Sequence, residues 1–348
     1  METKRIALYD YIKGILMLGI VFGHFLNAFS SVSNQSSVLH LLVRTFDLPM
    51  YMLLGGVLLN KTIGKYTLSQ FIVRKISKVA RPTIVLGSIL GIITYTVLGS
   101  FQLLKLLQYI FGIWFMWSFF ISTIIVCIVT KLIKRPILQI TVFCIIQLSL
   151  HLISYNLFNL NFMFPFFVLG FYLPAINLFF KKNQETKVKD CRLICVSFVL
   201  FIILFSFWNS SYMIWESDGL LLQDTIQKSL VAVYRFCIGI FGSICAFYVM
   251  KTLYSVLDKK INSTVLKIGK ESMSIYIIHS FLVSQCFSSA LKIICGRTAL
   301  IRNFITSNWR FVILFVAPIL SILTCLIIQK FVELIKKNRM VSKIVYGV

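Results

Sequence analysis

Three ionisable side chains, Asp10, Lys13 and His24, stand in the first hydrophobic stretch of the chain, RIALYDYIKGILMLGIVFGHF, residues 5–25. On a helix they fall within an arc of about 60°, and the ends of this line lie about 21 Å apart. A charge inside a membrane costs roughly 2.5–3.5 kcal/mol and normally faces a protein interior or water. We therefore predict a polar channel along this helix. An ion pair of Asp10 with Lys13, beside a histidine bonded to a neighbouring carbonyl, is the simpler alternative.

The second apolar stretch repeats this pattern in RTFDLPMYMLLGG, where Arg44, Asp47 and Tyr51 share one helical face. Because this helix runs back across the membrane, Arg44 and Asp47 are predicted at about the depth of His24. There they could orient the histidine or hold a hydroxylated substrate, or they could form a purely structural ion pair.

Four further residues later in the chain are candidates for a site. Tyr276 and His279 share a face in ESMSIYIIHSF and are predicted in the inner half of the membrane, with packing as the alternative. Arg235 is predicted in the outer third, where it could pair with Asp224 or meet an anionic ligand. Trp114 is most simply a residue of the interfacial aromatic belt.

The composition requires that these side chains be positioned by membrane helices. The chain has 348 residues, 58% hydrophobic and 13% charged, which is typical of a polytopic membrane protein. We predict one all-α membrane domain over residues 1–348, without a soluble domain. The nine cysteines have no metal-ligand spacing, so no metal is predicted. Apolar stretches of roughly 20 residues predict ten spans, at about 6–28, 38–60, 82–99, 111–131, 136–153, 158–179, 192–209, 229–250, 272–294 and 310–332.

The formal net charge of +24 lies mostly in basic tracts between the apolar stretches, and these tracts alternate with loops that carry few basic residues. The positive-inside rule then places both termini in the cytoplasm, although the basic loop 292–310 disagrees. Charge distributed in this way argues against a nucleic-acid partner. Segment 101–110 is interpreted as lying along the membrane interface before the fourth span.

Several short motifs resemble one known family when they are taken in order. YDYIKGILMLGIVFGH resembles an opening D-x-x-[KR]-G…G-H pattern, and FDLPMYMLLGG resembles its second-helix F-H-x-P-x-F-x-x-x-S-G element. VRKISKVARP, IWFMW and SIYIIH are similar to its R-x-x-R, W-F-L and late tyrosine/histidine elements. The family is the acyltransferase-3 family of bacterial integral membrane acyltransferases, and the branch is fucose 4-O-acetylase-like. The chain departs from the pattern at Asp47, Gly55 and Lys78, where histidine, serine and arginine are usual.

The resemblance implies an O-acetyltransferase that uses cytoplasmic acetyl-CoA and a hydroxyl of a capsular or exopolysaccharide, or of its lipid-linked precursor. His24 would be the general base, although an acetyl-His24 intermediate stays open. The resemblance, together with the predicted depth and charge of each residue, implies the remaining roles: Asp10, Arg44 and Tyr51 assist catalysis; Lys13, Arg74, Lys78, Arg81, Tyr276 and His279 bind the donor; Asp47, Arg235 and Trp114 bind the acceptor.

These roles imply a multi-pass protein of the bacterial cytoplasmic membrane, with acyl-CoA, a surface glycan and membrane lipid as partners. A second copy of the chain is a further candidate partner. Another acyl group, such as succinyl, also stays open. The main alternative function is a proton-coupled transporter or a flippase of glycan precursors, because lines of intramembrane Asp, His and Arg are typical of proton relays. A non-enzymatic scaffold would leave the buried charges without a purpose.

Overall fold

The computed structural model describes residues 7–97, 99, 102–152, 157–174, 184–209, 212 and 225–347, and its regular elements are all helices. Three of these helices contain a π turn, at Ile76–Ala80, Ser280–Phe287 and Val312–Val316. In chain order the helices are α1 (Ala7–Ser33), α2 (Val38–Ile63), α3 (Leu68–Val97), α4 (Leu103–Gly112), α5 (Trp114–Leu132), α6 (Pro136–Leu152), α7 (Leu160–Tyr172), α8 (Gln184–Ser206), α9 (Thr225–Val256), α10 (Lys259–Lys270), α11 (Ser272–Arg297), α12 (Ala299–Ser307), α13 (Trp309–Lys337) and α14 (Arg339–Tyr346).

Seven helices among the described residues are long and apolar enough to cross a membrane: α1, α2, α3, α5, Ser229–Val256 within α9, α11 and α13. This agrees with the predicted all-α polytopic membrane class. The other three predicted spans fall on the shorter apolar helices α6, α7 and α8, so the count of ten stays a prediction. The orientation of the termini also stays a prediction. Residues 175–183 and 213–224, which contribute to the loop charges and include Asp224, lie outside the described residues.

The chain divides into two compact units. Unit 1 comprises Met1–Arg44, Ser77–Ile113 and Met250–Val348, and unit 2 comprises Thr45–Ile76 and Trp114–Val249. In unit 1, α1 packs most extensively against α10 and also against α11 and α13. Its fully buried side chains include Tyr11, Ile12, Leu16 and Ile20.

Glycines set the closest helix contact in unit 1. A Cβ atom on Gly14 of α1 would collide with the carbonyl oxygen of Val265, and one on Gly269 of α10 would collide with that of Asp10. The two backbones can therefore approach this closely only because both positions lack a side chain. The close contact places α10, which lies in the predicted basic loop 251–271, along the first turns of α1.

The segment before the fourth predicted span forms α4, which packs against α3, and its position along the membrane interface stays a prediction. Gly91 of α3 faces Leu106 and Tyr109 of α4, whereas Gly87 faces Ile110 and Ile113. Because the residue numbers run in opposite directions, α4 is antiparallel to this part of α3. The side of α4 that carries Leu106, Tyr109 and Ile110 is thus covered by a helix of the same unit, whereas Leu103, Leu104, Leu107 and Phe111 are exposed.

Unit 2 has an aromatic interior built around α2, α5 and α7. The backbones of α2 and α7 touch at Gly56 and Gly170, where a Cβ atom would collide with main-chain atoms of the facing helix. Next to this contact, the rings of Phe119 and Phe167 meet edge to face with centroids 5.7 Å apart. The Asn60 side chain donates a hydrogen bond of 2.9 Å to the carbonyl of Phe171 at the end of α7.

Candidate active site

The contact between α1 and α10 also sets the relative level of two histidines in unit 1. His24 lies ten residues beyond Gly14, and His279 lies ten residues beyond Gly269. In both cases the rise along the chain is about 15 Å if the path is helical. The two rings accordingly meet, with centroids 4.9 Å apart and planes at 63°. His279 therefore lies at the level of His24, because α11 follows directly after the contact of α10 with α1, and its predicted place in the inner half of the membrane stays a prediction.

Hydrogen bonds orient both imidazole rings. His24 Nδ1 lies 3.2 Å from Ser284 Oγ, in the π turn of α11. His279 Nδ1 lies 3.1 Å from the carbonyl oxygen of Ile275, which can only accept, so this nitrogen carries a proton. In a neutral His279 the lone pair is then on Nε2. That atom is buried and has no hydrogen-bond partner among the described residues.

A guanidinium completes this cluster in unit 1. A Cβ atom on Gly23 would lie only 2.8 Å from Arg44 Nη2, so the glycine next to His24 makes room for the arginine. Arg44 Nε donates a hydrogen bond of 3.3 Å to His40 Nε2, one turn earlier on α2. Arg44 thus lies against the residue next to His24, at the depth at which the sequence placed it. The ring of Tyr276 packs against His279 with centroids 5.3 Å apart, which adds a second predicted residue.

Asp10 and Lys13 form the ion pair that the sequence left as one alternative. Lys13 Nζ lies 2.6 Å from Asp10 Oδ1, and both side chains are largely buried. Because the pair is only one turn along α1, it neutralises two charges locally. It also stands at the end of α1 that touches α10, whereas His24 lies about 21 Å further along the helix.

Two basic residues of the R-x-x-R-like element belong to unit 1. Lys78 lies within the π turn Ile76–Ala80 and is exposed. Arg81 follows that turn and is also exposed, and a Cβ atom on Gly347 would lie 2.5 Å from its Nη1 atom. The Arg81 guanidinium therefore lies directly against the end of α14.

The remaining predicted site residues belong to unit 2, where aromatic rings hold most of them. Arg74 lies over Tyr66 and Arg235 over Phe162, with centroid distances of 4.8 and 4.2 Å. Tyr51 and Trp114 both meet Phe115 edge to face, at 5.7 and 5.9 Å. Asp47 is buried, and its Oδ1 accepts a 2.7 Å hydrogen bond from the Leu48 N–H just before Pro49. The alternative pairing of Arg235 with Asp224 falls outside the described residues.

Comparison with known proteins identifies the family. The family model described as an acyltransferase domain (acyltransferase 3) matches residues 6–329. The chain belongs to the acyltransferase-3 family. No curated protein and no solved structure matches it. The matched range of this acyltransferase includes the helices that carry His24, Arg44 and His279. The seven candidate spans in the described part of the chain make it a multi-pass membrane enzyme.

Two partners in the histidine cluster of the acyltransferase were not predicted. His40 lies four residues before Arg44 on one face of α2, so helical periodicity could have indicated it. Ser284 could not be found in this way, because the π turn changes the angular spacing between it and His279.

Proposed function

We propose that this enzyme transfers an acetyl group from cytoplasmic acetyl-CoA to a hydroxyl of a bacterial surface polysaccharide, or of its lipid-linked precursor, at the cytoplasmic membrane. The proposal rests above all on the pairing of His24 with His279 beside Arg44, inside a member of a membrane acyltransferase family. Acyl transfer to a hydroxyl needs a base and a donor for the oxyanion, and this cluster offers both.

In the proposed reaction His24 is the general base. If its Nδ1–H donates to Ser284 Oγ, the lone pair on Nε2 is available to a substrate hydroxyl. As the hydroxyl oxygen bonds to the thioester carbonyl carbon, Nε2 takes the hydroxyl proton. The tetrahedral intermediate then collapses, the carbon–sulfur bond breaks, and the proton passes to the CoA thiolate. An acetyl-His24 intermediate would divide the same transfer into two steps.

Arg44 is the proposed oxyanion donor. Its Nε donates a hydrogen bond to His40 Nε2, and its Nη2 lies against Gly23, the residue next to His24. A fixed cation aimed at a developing negative charge stabilises the transition state more than the ground state. Tyr51 remains a second candidate for this role.

The proposed donor site uses the exposed cations Lys78 and Arg81 of unit 1, which fit the negative charges of the CoA phosphates. Lys13, Arg74, Tyr276 and His279 remain further proposed donor contacts, and Asp47, Arg235 and Trp114 remain proposed acceptor contacts. Asp10 would keep Lys13 in place through their ion pair.

The decisive experiment compares His24→Ala with His151→Ala. His151 is a matched control, because it lies on α6 and is hydrogen-bonded to Ser229 at 2.9 Å in unit 2. We expect His24→Ala to abolish transfer of radiolabelled acetyl groups by the purified protein, and the control to retain it. Near-normal acetylation by His24→Ala, normalised to the amount of membrane-inserted protein, would falsify the assignment. Detergent removes any ion gradient, so acetyl transfer there also separates the enzyme from a transporter.

A further inference from the structure

The C-terminal helix α14 lies beyond the part of the chain that the family model matches, which ends at residue 329. Its start is defined by the Asn338 side chain, which accepts hydrogen bonds from the backbone N–H groups of Met340 and Val341. Its end is defined by Gly347, whose positive φ of 69° is typical of a residue that terminates a helix. The helix therefore has a fixed beginning and a fixed end.

Side-chain contacts attach α14 to the other helices of unit 1. Val345 and Tyr346 are buried, and the Tyr346 hydroxyl lies 2.9 Å from the buried Ser274 Oγ. The Lys336 ammonium lies over the Tyr346 ring, 5.0 Å from its centroid, and also forms an ion pair with Glu271. Burial raises the pKa of Tyr346, so its hydroxyl stays protonated near neutral pH and keeps its hydrogen bond.

The far end of α14 contacts Arg81. A Cβ atom at Gly347 would lie 2.5 Å from Arg81 Nη1 and 3.5 Å from the Ser77 Cβ. The guanidinium thus packs on a surface that exists only because residue 347 has no side chain. The same residue needs a positive φ, so two independent requirements favour glycine here.

The hydrogen bond to Ser274 connects this contact to the histidine cluster. Ser274 lies on α11, two residues before Tyr276 and five before His279. One short helix therefore touches Arg81 at its end and is bonded to the element that carries His279. A guanidinium that is already held by packing loses less conformational entropy when it binds an anion, so its affinity for the anion is higher.

We propose that α14 is a positioning element for the acyl donor: it holds Arg81 in the orientation that binds the phosphates of CoA. This inference rests on the proposed function, in which Arg81 contacts the donor. Arg81 is the binding residue, whereas Gly347 and Tyr346 act through it.

The test compares Gly347→Val with Gly99→Val in the full-length protein, using coenzyme A as the probe. Gly99 is a matched control, since its φ of 61° imposes the same backbone strain, but a Cβ atom there meets no described atom within 4 Å. We expect Gly347→Val to raise the Kd for coenzyme A about tenfold, as the loss of one charge-assisted contact would. Gly99→Val should leave the Kd unchanged.

A double-mutant cycle that combines Gly347→Val with Arg81→Ala separates this inference from the proposed function on which it rests. If Arg81→Ala weakens the binding of coenzyme A, and the double variant binds no more weakly than Arg81→Ala alone, α14 acts through Arg81. If Arg81→Ala weakens binding but Gly347→Val alone does not, the positioning role is wrong and the donor site stands. If Arg81→Ala has no effect, the donor site itself is wrong.

Tyr346→Phe provides a milder second variant, because it keeps the ring under Lys336 and removes only the bond to Ser274. We expect Tyr346→Phe to raise the Kd for coenzyme A about threefold, and Ser274→Ala to raise it by the same factor. Because both variants remove the same hydrogen bond, the double variant should have the same Kd as either single variant. An unchanged Kd in Tyr346→Phe, or a lowered Tm in Gly347→Val with unchanged affinity per folded molecule, would reduce α14 to a purely structural role.

Discussion

Units 1 and 2 hold their predicted site residues in different ways. In unit 1 polar groups meet one another: Asp10 pairs with Lys13, and His24 meets His279. In unit 2 the residues pack mostly on aromatic rings, as Arg235 does over Phe162. Proton transfer requires titratable groups in contact, which unit 1 provides. We therefore expect substitutions in the histidine cluster of unit 1 to change the chemical step, and those at Arg235 and Trp114 of unit 2 to change mainly the binding of the acceptor.

The largest effect that would test this contrast is expected at His279. His279→Gln should lower the rate of acetyl transfer about a hundredfold, because it removes a titratable ring, with a buried Nε2, that meets the ring of His24. His151→Gln makes the same change in unit 2 and should leave the rate unchanged. If both variants keep the wild-type kcat while His24→Ala is inactive, His279 only packs against the reacting histidine.

A smaller loss of kcat is expected when the Arg44 guanidinium is displaced by a substitution at a neighbouring residue. Gly23→Val would place side-chain atoms where the Arg44 guanidinium now lies, and we expect kcat to fall about tenfold through weaker oxyanion stabilisation. Gly19→Val on the same helix is the control, since a Cβ atom there meets only the Val43 side chain at 3.4 Å. Equal effects of the two variants on kcat would argue against a role for Arg44 in the transition state.

The donor site allows a direct comparison of the two units. Replacing Lys78 and Arg81 together with alanine should raise the KM for acetyl-CoA at least about tenfold, because two exposed cations are lost. Arg74→Ala in unit 2 should raise it only about twofold, because that guanidinium packs on Tyr66. The exposed pair Lys134 and Arg135 serves as the control double substitution. If Arg74→Ala raises the KM for acetyl-CoA more than the double substitution of Lys78 and Arg81 does, the donor site belongs to unit 2 instead of unit 1.

The smallest effect is expected in the aromatic interior of unit 2. Trp114→Leu should raise the KM for the glycan acceptor about threefold, by removing an aromatic contact, and leave the KM for acetyl-CoA unchanged. Trp117→Leu, one turn further along α5 and stacked on Phe158, is the matched control. A large loss of kcat in Trp114→Leu would show that the chemistry is not confined to unit 1.

Local spacing was enough to predict part of the site. The Asp10–Lys13 pair follows from the three-residue interval on α1. Arg44 could be placed near His24 because α1 and α2 are joined by a short connection, so depths counted along both helices agree. In both cases the determining contacts lie within one helix or between neighbours in sequence.

Contacts between distant segments could not be predicted in the same way. The meeting of His24 with His279 depends on the backbone contact of Gly14 with α10, a polar helix whose charges resemble those of an ordinary cytoplasmic loop. The contact of Gly347 with Arg81 joins residues that are far apart in sequence, and a lone glycine near the end of a chain carries no specific signal.

The π turn at Ser280–Phe287 has a further consequence for how this protein can change over evolution. Each i to i+5 turn holds one residue more than an α-helical turn, so α11 contains a surplus of chain just after His279. Deleting one residue there would restore a regular α-helix and leave the later residues at nearly the same angle relative to His279, because the wider turn spreads the same rotation over one more residue. The half of α11 that carries the histidine and the half that leads to Arg297 are thus separated by a built-in adjustment in register. A single deletion in this turn could therefore be accommodated while Tyr276, His279 and the second half of α11 keep their faces.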